Sequence, residues 1–297
     1  MAAELTVFAL PKPFRDEFDV IQRNAIGSWA RLPVPATIVL FGDEAGTAEA
    51  AASVGAAHLT DVARSEHGTP FVGDLFRRAE EAGGTEWLVY VNADVVLLDD
   101  FADAVRRLRR RLDRFLMVGR RWDLEIAEPI AFDEGWQDRV RRDVEERGVP
   151  HAYTGIDYFV FPKEMWGDIP PFAIGRFAWD NWLLWRAREL RVPLVDASSA
   201  VMAVHQDHPV SAPGSADSAV RESERVANVR LAGDIAAYYT LDDASHLLTS
   251  RGRLLPAWTQ RHLGRRARRM LLELDRTAPR LARLIRRALA ARRRLLS

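Results

Sequence analysis

Short apolar runs and longer amphipathic stretches take turns along most of this chain. Leu5 to Leu10 and Ala36 to Phe41 are apolar runs of strand length, closed by Pro11-Lys12-Pro13 and by Gly42-Asp43, and a shorter run lies at Ala57-His58-Leu59. Between them, Asp16 to Trp29 and the Ala-rich segment after Gly42-Asp43 have helical length. After Gly68-Thr69-Pro70, residues Phe71, Leu75, Phe76 and Ala79 mark one face of a further helix. Glu86 to Leu98 is an apolar run interrupted only at Asn92-Ala93-Asp94, and it reads as a buried strand. Asp99-Asp100 then cap an amphipathic helix with apolar positions Phe101, Val105, Leu108 and Leu112. Phe115 to Gly119 and Tyr153 to Pro162 return to strand, Phe177 to Trp185 opens a helix, and Val192 to Asp196 and Val201 to Val204 are late short strands. His208 to Ser218, rich in Pro, Gly, Ser and Ala, reads as a loop, and residues 219–249 as helical completion of the same body. This alternation predicts an α/β fold with a mostly parallel sheet flanked by helices.

Arg120 to Pro150 breaks the rhythm. It is strongly charged, carries Trp122 and Trp136, and reads as a partly helical insertion beside a substrate groove, or as a solvated helix with two aromatic anchors. Beyond residue 250 the pattern changes again. Leu263, Ala267, Met270, Leu271 and Leu274 share one helical face, and Leu281, Leu284, Ile285, Ala288 and Leu289 share another. Pro279 lies between them, Arg covers the far sides, and Arg292 interrupts the second apolar face. Two domains follow: a body of residues 1–250 and an Arg-rich amphipathic helical tail of residues 251–297.

Charge sharpens that division. The formal net charge is zero, with 42 basic and 42 acidic residues, yet residues 251–297 hold fifteen Arg against Glu273 and Asp275. The tail therefore carries +13 and the body −13. A basic amphipathic helix fits an anionic membrane surface, and a helical pair packed on the acidic body is the alternative. Lys12 and Lys163 are the only lysines, a bias that points to coding composition more than to chemistry, and no nucleic-acid partner is expected. With no Cys, disulfides, thiolate nucleophiles and Cys-ligated zinc are excluded. The start lacks a basic and apolar leader and no uncharged segment has spanning length, so the chain reads as cytoplasmic, with membrane association at the inner face through its tail.

In a parallel sheet the strand ends share one edge, which brings Lys12, Asp43, Asp94 and His205 together. A carboxylate at the end of a buried strand needs a partner, because unpaired buried charge is costly. A neutral imidazole at an apolar strand end can ligate a divalent metal, with His208 as the alternative to His205. An acid beside two large aromatics, as in Trp179-Asp180-Asn181-Trp182, combines a stacking surface with a proton acceptor, although a carboxylate at a helix start also serves as a cap. A simple Gly-Asp turn accounts for Asp43 as well as a binding role does.

Asn92-Ala93-Asp94 resembles the Asp-x-Asp motif of GT-A glycosyltransferases of the family-2 kind, with Asn in place of the first acid. The resemblance covers residues 5–210 in order of elements. It implies a GT-A, Rossmann-like fold and metal-dependent transfer of a sugar from a nucleotide-diphosphate donor to a saccharide or other hydroxyl acceptor. It further implies Mn2+ or Mg2+ held by Asp94 and His205, with Asn92 toward the ribose, Asp43 toward the base and Lys12 toward a phosphate. Asp180 takes the place of the general base of inverting enzymes, with Asp157 as runner-up and Trp179 and Trp182 at the acceptor. A non-catalytic sugar-nucleotide or membrane-surface adaptor of the same fold is the alternative. A sugar-nucleotide nucleotidyltransferase ranks below both, since Leu10 to Phe14 holds no Gly.

Overall fold

The first half of the chain builds its sheet by strict alternation: β1 (Leu5–Ala9), α1 (Glu17–Trp29), β2 (Ala36–Phe41), α2 (Thr47–Val54), β3 (Ala57–Leu59), α3 (Val72–Gly83) and β4 (Trp87–Val91). The computed structural model describes residues 3–208, 216–236 and 238–286. Every residue of β1 and β4 is buried, as expected of parallel strands covered on both faces. α3 turns Val72, Leu75, Phe76 and Ala79 inward. There Phe76 stacks on Phe161 at 5.2 Å and meets Phe8 edge-on at 5.2 Å, in an aromatic cluster that also holds Tyr90 and Trp166. Burying each such ring stabilises the fold by about 1.5–3 kcal/mol.

The next stretch departs from a single continued strand. β4 ends at Val91 and the apolar run resumes as β5 (Val95–Val96), which belongs to a different sheet. α4 (Asp99–Arg109), β6 (Leu116–Val118), β7 (Arg121–Leu124), α5 (Trp136–Arg147), β8 (Val149–Pro150) and β9 (Tyr158–Pro162) follow. Asp99 and Asp100 occupy the first turn of α4, and the N-cap position falls on Leu98 without a side-chain cap. The charged insertion is therefore a strand, a helix and a short strand, with Trp136, Val140 and Val144 of α5 buried against Leu124, Val96 and Val204. The chain closes the body with α6 (Trp179–Glu189), β10 (Leu194–Asp196), β11 (Ala203–Gln206), α7 (Ala216–Ala236), a 3-10 turn at Leu241–Asp243, β12 (His246–Leu248) and β13 (Leu254–Pro256). β12 puts a strand at the end of the helical completion expected over residues 219–249, and β13 follows beyond it. Of the loop expected over His208 to Ser218, residues 209–215 lie outside the described residues, and α7 has begun by Ala216.

Among the described residues the main sheet runs β13-β12-β10-β6-β9-β4-β1-β2-β3 and a second sheet runs β5-β11-β7-β8. The fold is a mixed α/β one with a mostly parallel central sheet. The exception decides the site: β9 is antiparallel to both neighbours, pairing Val89 with Val160 and Met117 with Val160. Its N-terminal end therefore lies at the edge where β1, β2, β4 and β6 have their C-terminal ends.

Two compact units divide the chain, Met1–Leu255 and Pro256–Ser297. The second contains α8 (Gln260–Thr277), which breaks at Ala278, with helix resuming over residues 279–286. The rest of the second amphipathic face, Ala288, Leu289 and Arg292 included, lies outside the described residues. No helix among the described residues is long and apolar enough to cross a membrane.

Candidate active site and metal centre

Asp94 occupies the step from one sheet to the other, and its main chain is pinned there. The buried Gln206 donates to the Asp94 carbonyl from both its backbone N and its Nε2, each at 3.1 Å. The same Nε2 donates to Ile21 O at 2.7 Å, while Asn24 Nδ2 donates to Gln206 Oε1 at 3.0 Å. Trp29 Nε1 donates to Val95 O at 2.9 Å, locking the next residue onto α1.

Antiparallel pairing of β5 with β11 sets His205 opposite Val95 and so beside Asp94. His205 Nε2 lies 3.7 Å and His208 Nε2 3.4 Å from Asp94 Oδ2. Asp94 Oδ1 is buried without a hydrogen-bond partner. One carboxylate and two imidazoles, each offering an atom within 4.8 Å of the others, fit a divalent cation, and the orphaned oxygen is the lone pair such an ion takes. Burial pushes the Asp94 carboxyl up, but the His208 hydrogen bond and the charges of His205 and Lys12 outweigh it and hold the group below the usual carboxylate range. Lys12 thus reaches the field of Asp94 as the sequence places it. Partial desolvation lowers its own pKa, with Asp94 opposing, and its Nζ sits 4.2 Å over the Phe18 ring.

Behind His205 stands a group that strand-end reasoning does not find. His205 Nδ1 lies 3.4 Å from Asp123 Oδ1 and 3.6 Å from Asp207 Oδ1. Asp123 also accepts from Arg121 Nε at 2.7 Å and contacts His151 Nδ1 at 2.6 Å. Arg121 continues to Asp157 Oδ2 at 2.7 Å. Asn92 Nδ2 donates to Asp157 Oδ1 at 2.7 Å, Asn92 N to Asp157 O at 2.9 Å, and Tyr90 OH to Asn92 Oδ1 at 2.8 Å.

Asp157 therefore spends both oxygens on fixed donors and is nearly inaccessible. Burial holds its carboxyl above the usual range even against Arg121. Its two oxygens anchor Asn92 and Arg121. The same geometry explains Asn92, because an acid at this position has no proton to donate to Asp157. Asn92→Asp is expected to lower unfolding stability by ~2–4 kcal/mol at neutral pH, through a lost hydrogen bond and two facing carboxylates. Urea titration of the variant against the parent measures it, and equal midpoints contradict it.

Asp180 lies in the first turn of α6, after Ala178 in a left-handed conformation at φ 92°. Burial raises its carboxyl to about 6, with the backbone amides of Asn181 and Asp180 itself opposing. Its Oδ1 is buried without a hydrogen-bond partner. Burial also raises the Tyr90 hydroxyl, which the charges of Asp94, Asp157 and Asp180 raise further, so three carboxylates surround one phenol. Trp179 and Trp182 are each only 6% exposed, packed on Tyr90, Phe159 and Phe172. Their faces pack within the core. The open rings in this region are Tyr153, Phe177 and Tyr238. Phe177 and Tyr238 lie 6.0 Å apart, Asn181 Nδ2 donates to Tyr239 O at 2.5 Å, and Leu241 N donates to Tyr153 O at 3.3 Å.

Asp43 ends β2 on the same edge, 73% exposed and paired with Arg64 at 2.7 Å. Gly42, at φ 96°, makes the left-handed turn that sends the chain past this edge. Arg64 also reaches Glu44 at 3.4 Å. A separate cleft of about 550 Å3, lined by Phe71, Phe76, Trp166 and Pro171 among others, shares no residue with these clusters.

Compared with solved structures, the chain is similar to S. aureus TarS at 12% identity and a TM-score of 0.47, over 69% of this chain and 37% of that one. It is similar to the glucosyl-3-phosphoglycerate synthase of Mycobacterium tuberculosis, solved with Mn2+, uridine diphosphate and glucosyl-3-phosphoglycerate, at 13% identity and a TM-score of 0.45, over 78% and 82% of the two chains. The same protein with Mn2+, UDP-glucose and phosphoglyceric acid gives 15% identity and a TM-score of 0.44, over 76% and 79%. The chain thus spans little more than a third of that TarS chain. No family model matches the sequence, and a search among curated proteins finds no match.

Proposed function

We propose that this protein is a metal-dependent glycosyltransferase of the GT-A type that moves a sugar from a nucleotide-diphosphate donor to an acceptor hydroxyl with inversion. The observation that carries the reading is the Asp94, His205 and His208 group with its orphaned Asp94 oxygen. Bound there, Mn2+ or Mg2+ supplies positive charge against the leaving diphosphate, where most negative charge develops, and two imidazoles beside one carboxylate favour Mn2+. Lys12 adds a fixed cation on the same edge, and Asp43 with Arg64 borders the place of the nucleoside. Asp180 accepts the proton of the attacking hydroxyl. Its raised pKa and unpartnered oxygen suit a group that must bind a proton near neutral pH. Phe177 and Tyr238 give the acceptor an apolar wall.

Asn92 in place of the first acid of the motif is the residue that would favour the adaptor alternative. Asn92 has a structural reason to be an amide, its donation to Asp157, so the substitution carries no implication of lost activity. A thermal-shift screen of nucleotide sugars with and without Mn2+ tests the donor site, since a ligand of the folded state raises the melting temperature. At a nucleotide concentration of 100 times its Kd the gain is about 2.7 kcal/mol. UDP-sugars are expected to raise it only with the metal, and no response from any nucleotide diphosphate overturns the reading. Slow Mn2+-dependent donor hydrolysis separates the enzyme from the adaptor.

The tail supplies a second partner, an anionic membrane surface. On α8, Leu263 and Met270 share the apolar face and are 50% and 55% exposed, and such a face set among arginines suits an anionic surface. Vesicles containing anionic lipid are expected to sediment the full chain at low salt and release it at high salt, while a chain ending at residue 255 stays in the supernatant. Sedimentation that survives the truncation assigns the binding to the body. A large fall in melting temperature on truncation assigns the tail to packing within the chain.

A further inference from the structure

His205 presents its two nitrogens to two groups of acids. Nε2 faces Asp94, while Nδ1, buried and short of full hydrogen-bond geometry, faces Asp123 at 3.4 Å and Asp207 at 3.6 Å. A neutral imidazole that gives one nitrogen's lone pair to a cation carries its proton on the other, and the acceptor beside that second nitrogen selects the tautomer.

The two acids differ in how they are held. Asp207 is 55% exposed and follows the end of β11. Asp123 is 18% exposed and lies on β7, where the parallel pairing with β11 sets it directly in register with His205. Its side chain is fixed from two sides, by Arg121 Nε on Oδ1 and His151 Nδ1 on Oδ2. A carboxylate so engaged has little capacity left to ligate an ion, yet it stays a rigid, charged acceptor for one more N–H.

We propose that Asp123 is a positioning residue that keeps the His205 proton on Nδ1 and so directs the Nε2 lone pair toward Asp94 and the cation. The inference rests on the cation reading of Asp94, His205 and His208. Arg121 extends the arrangement, because it bridges Asp123 and Asp157 and thereby ties the orientation of the metal-binding imidazole to the support of Asn92.

Two measurements on the full chain test it. In metal-free, 15N-labelled protein, long-range 1H–15N correlation of the imidazoles reads the His205 tautomer, assigned by its loss in His205→Gln. The proton is expected on Nδ1 in the parent and in Asp207→Asn. The preference is expected to disappear in Asp123→Ala and to weaken in Asp123→Asn, which keeps the shape with a poorer acceptor and covers the case in which the alanine variant does not fold. Electron paramagnetic resonance of free Mn2+ gives the affinity. Asp123→Asn is expected to bind up to about tenfold more weakly, the low end of the usual cost of losing such a partner and no more than the loss of His205 itself, with Asp207→Asn at the parent value and Asp123→Glu recovering part of the loss. A proton on Nε2 in the parent, or unchanged Mn2+ binding in Asp123→Asn, overturns the proposal. So does loss of Mn2+ binding in both Asp123→Asn and Asp207→Asn with Asp94→Ala unaffected, since the ion then sits on Asp123, His205 and Asp207. If the parent binds no Mn2+ at all, the cation reading fails, and the tautomer alone decides the role of Asp123.

Discussion

Asp94→Ala is expected to abolish metal-dependent donor binding and to leave the fold intact. The carboxylate is the anionic member of the Asp94, His205 and His208 group, and two neutral imidazoles alone hold a hard cation poorly beside a diphosphate. A loss of at least ~100-fold in affinity, about 2.7 kcal/mol, is the expected scale. The fold survives because the braces at this position act on the main chain. Gln206 holds the Asp94 carbonyl and Trp29 the Val95 carbonyl, and an alanine keeps both bonds. Calorimetric titration with UDP and Mn2+ measures the effect, with thermal melting as the control. Binding equal to the parent removes Asp94 from the site and the proposed function with it. His205→Ala is expected to cost less, about tenfold, because water can take one place among several ligands.

Asp180→Asn is expected to leave donor binding near the parent value and to remove most turnover, by 100-fold or more, the scale on which a positioned base contributes. The amide keeps the shape and the polar contacts at the start of α6 while losing basicity. Burial sets the carboxyl at about 6, so in the parent kcat should fall as the pH drops below that value and the base becomes protonated. The same shift has a stability consequence of opposite sign. A carboxyl whose folded pKa lies above its unfolded one destabilises the fold at every pH above the unfolded value, and only below it is that penalty absent. Asp180→Asn should therefore be more stable than the parent at pH 7, by about 3 kcal/mol, though nearly inactive. Denaturant unfolding and a pH–rate profile decide the matter. A variant that is no more stable and turns over within a few fold of the parent moves the base elsewhere.

How much of this was legible in the sequence depended on whether a residue's environment is local. β1, β2 and β4 announce themselves because strands covered on both faces are continuous apolar runs closed by Pro, Gly or a polar residue. The step at Asn92-Ala93-Asp94 does not, since Val95 and Val96 prolong the apolar run while pairing with β11 in another sheet. Hydrophobicity carries no strand direction either, so nothing in Tyr158 to Pro162 reveals an antiparallel insertion between β4 and β6. β12 and β13 escape notice because three residues show no periodicity.

Side-chain roles follow the same rule. His205 is visible as a polar residue at an apolar strand end, whereas Asp123 and His151 lie in a charged segment where nothing separates them from solvated neighbours. Trp179 and Trp182 look like a sugar platform beside an acid. Only the packing of Tyr90, Phe159 and Phe172 shows that their faces are already covered.

The joining of Asp94 to β11 sets an order on biosynthesis. The grip of Gln206 on Asp94 connects positions 112 residues apart, and the ladder between β5 and β11 spans nearly as much chain. A chain emerging from the ribosome can assemble β1 to β4 and expose Lys12, Asp43 and Asn92 on their common edge well before His205 has been translated. Until then it has the carboxylate of the Asp94, His205 and His208 group but neither imidazole. Closure of that long loop is slow compared with local strand pairing, so on the proposed reading ion binding would follow the pairing of β5 with β11 and report it. Two fragments cut between β9 and α6 would divide the proposed ligands, Asp94 in one and His205 and His208 in the other, and the return of Mn2+ binding on mixing them would register their reassembly.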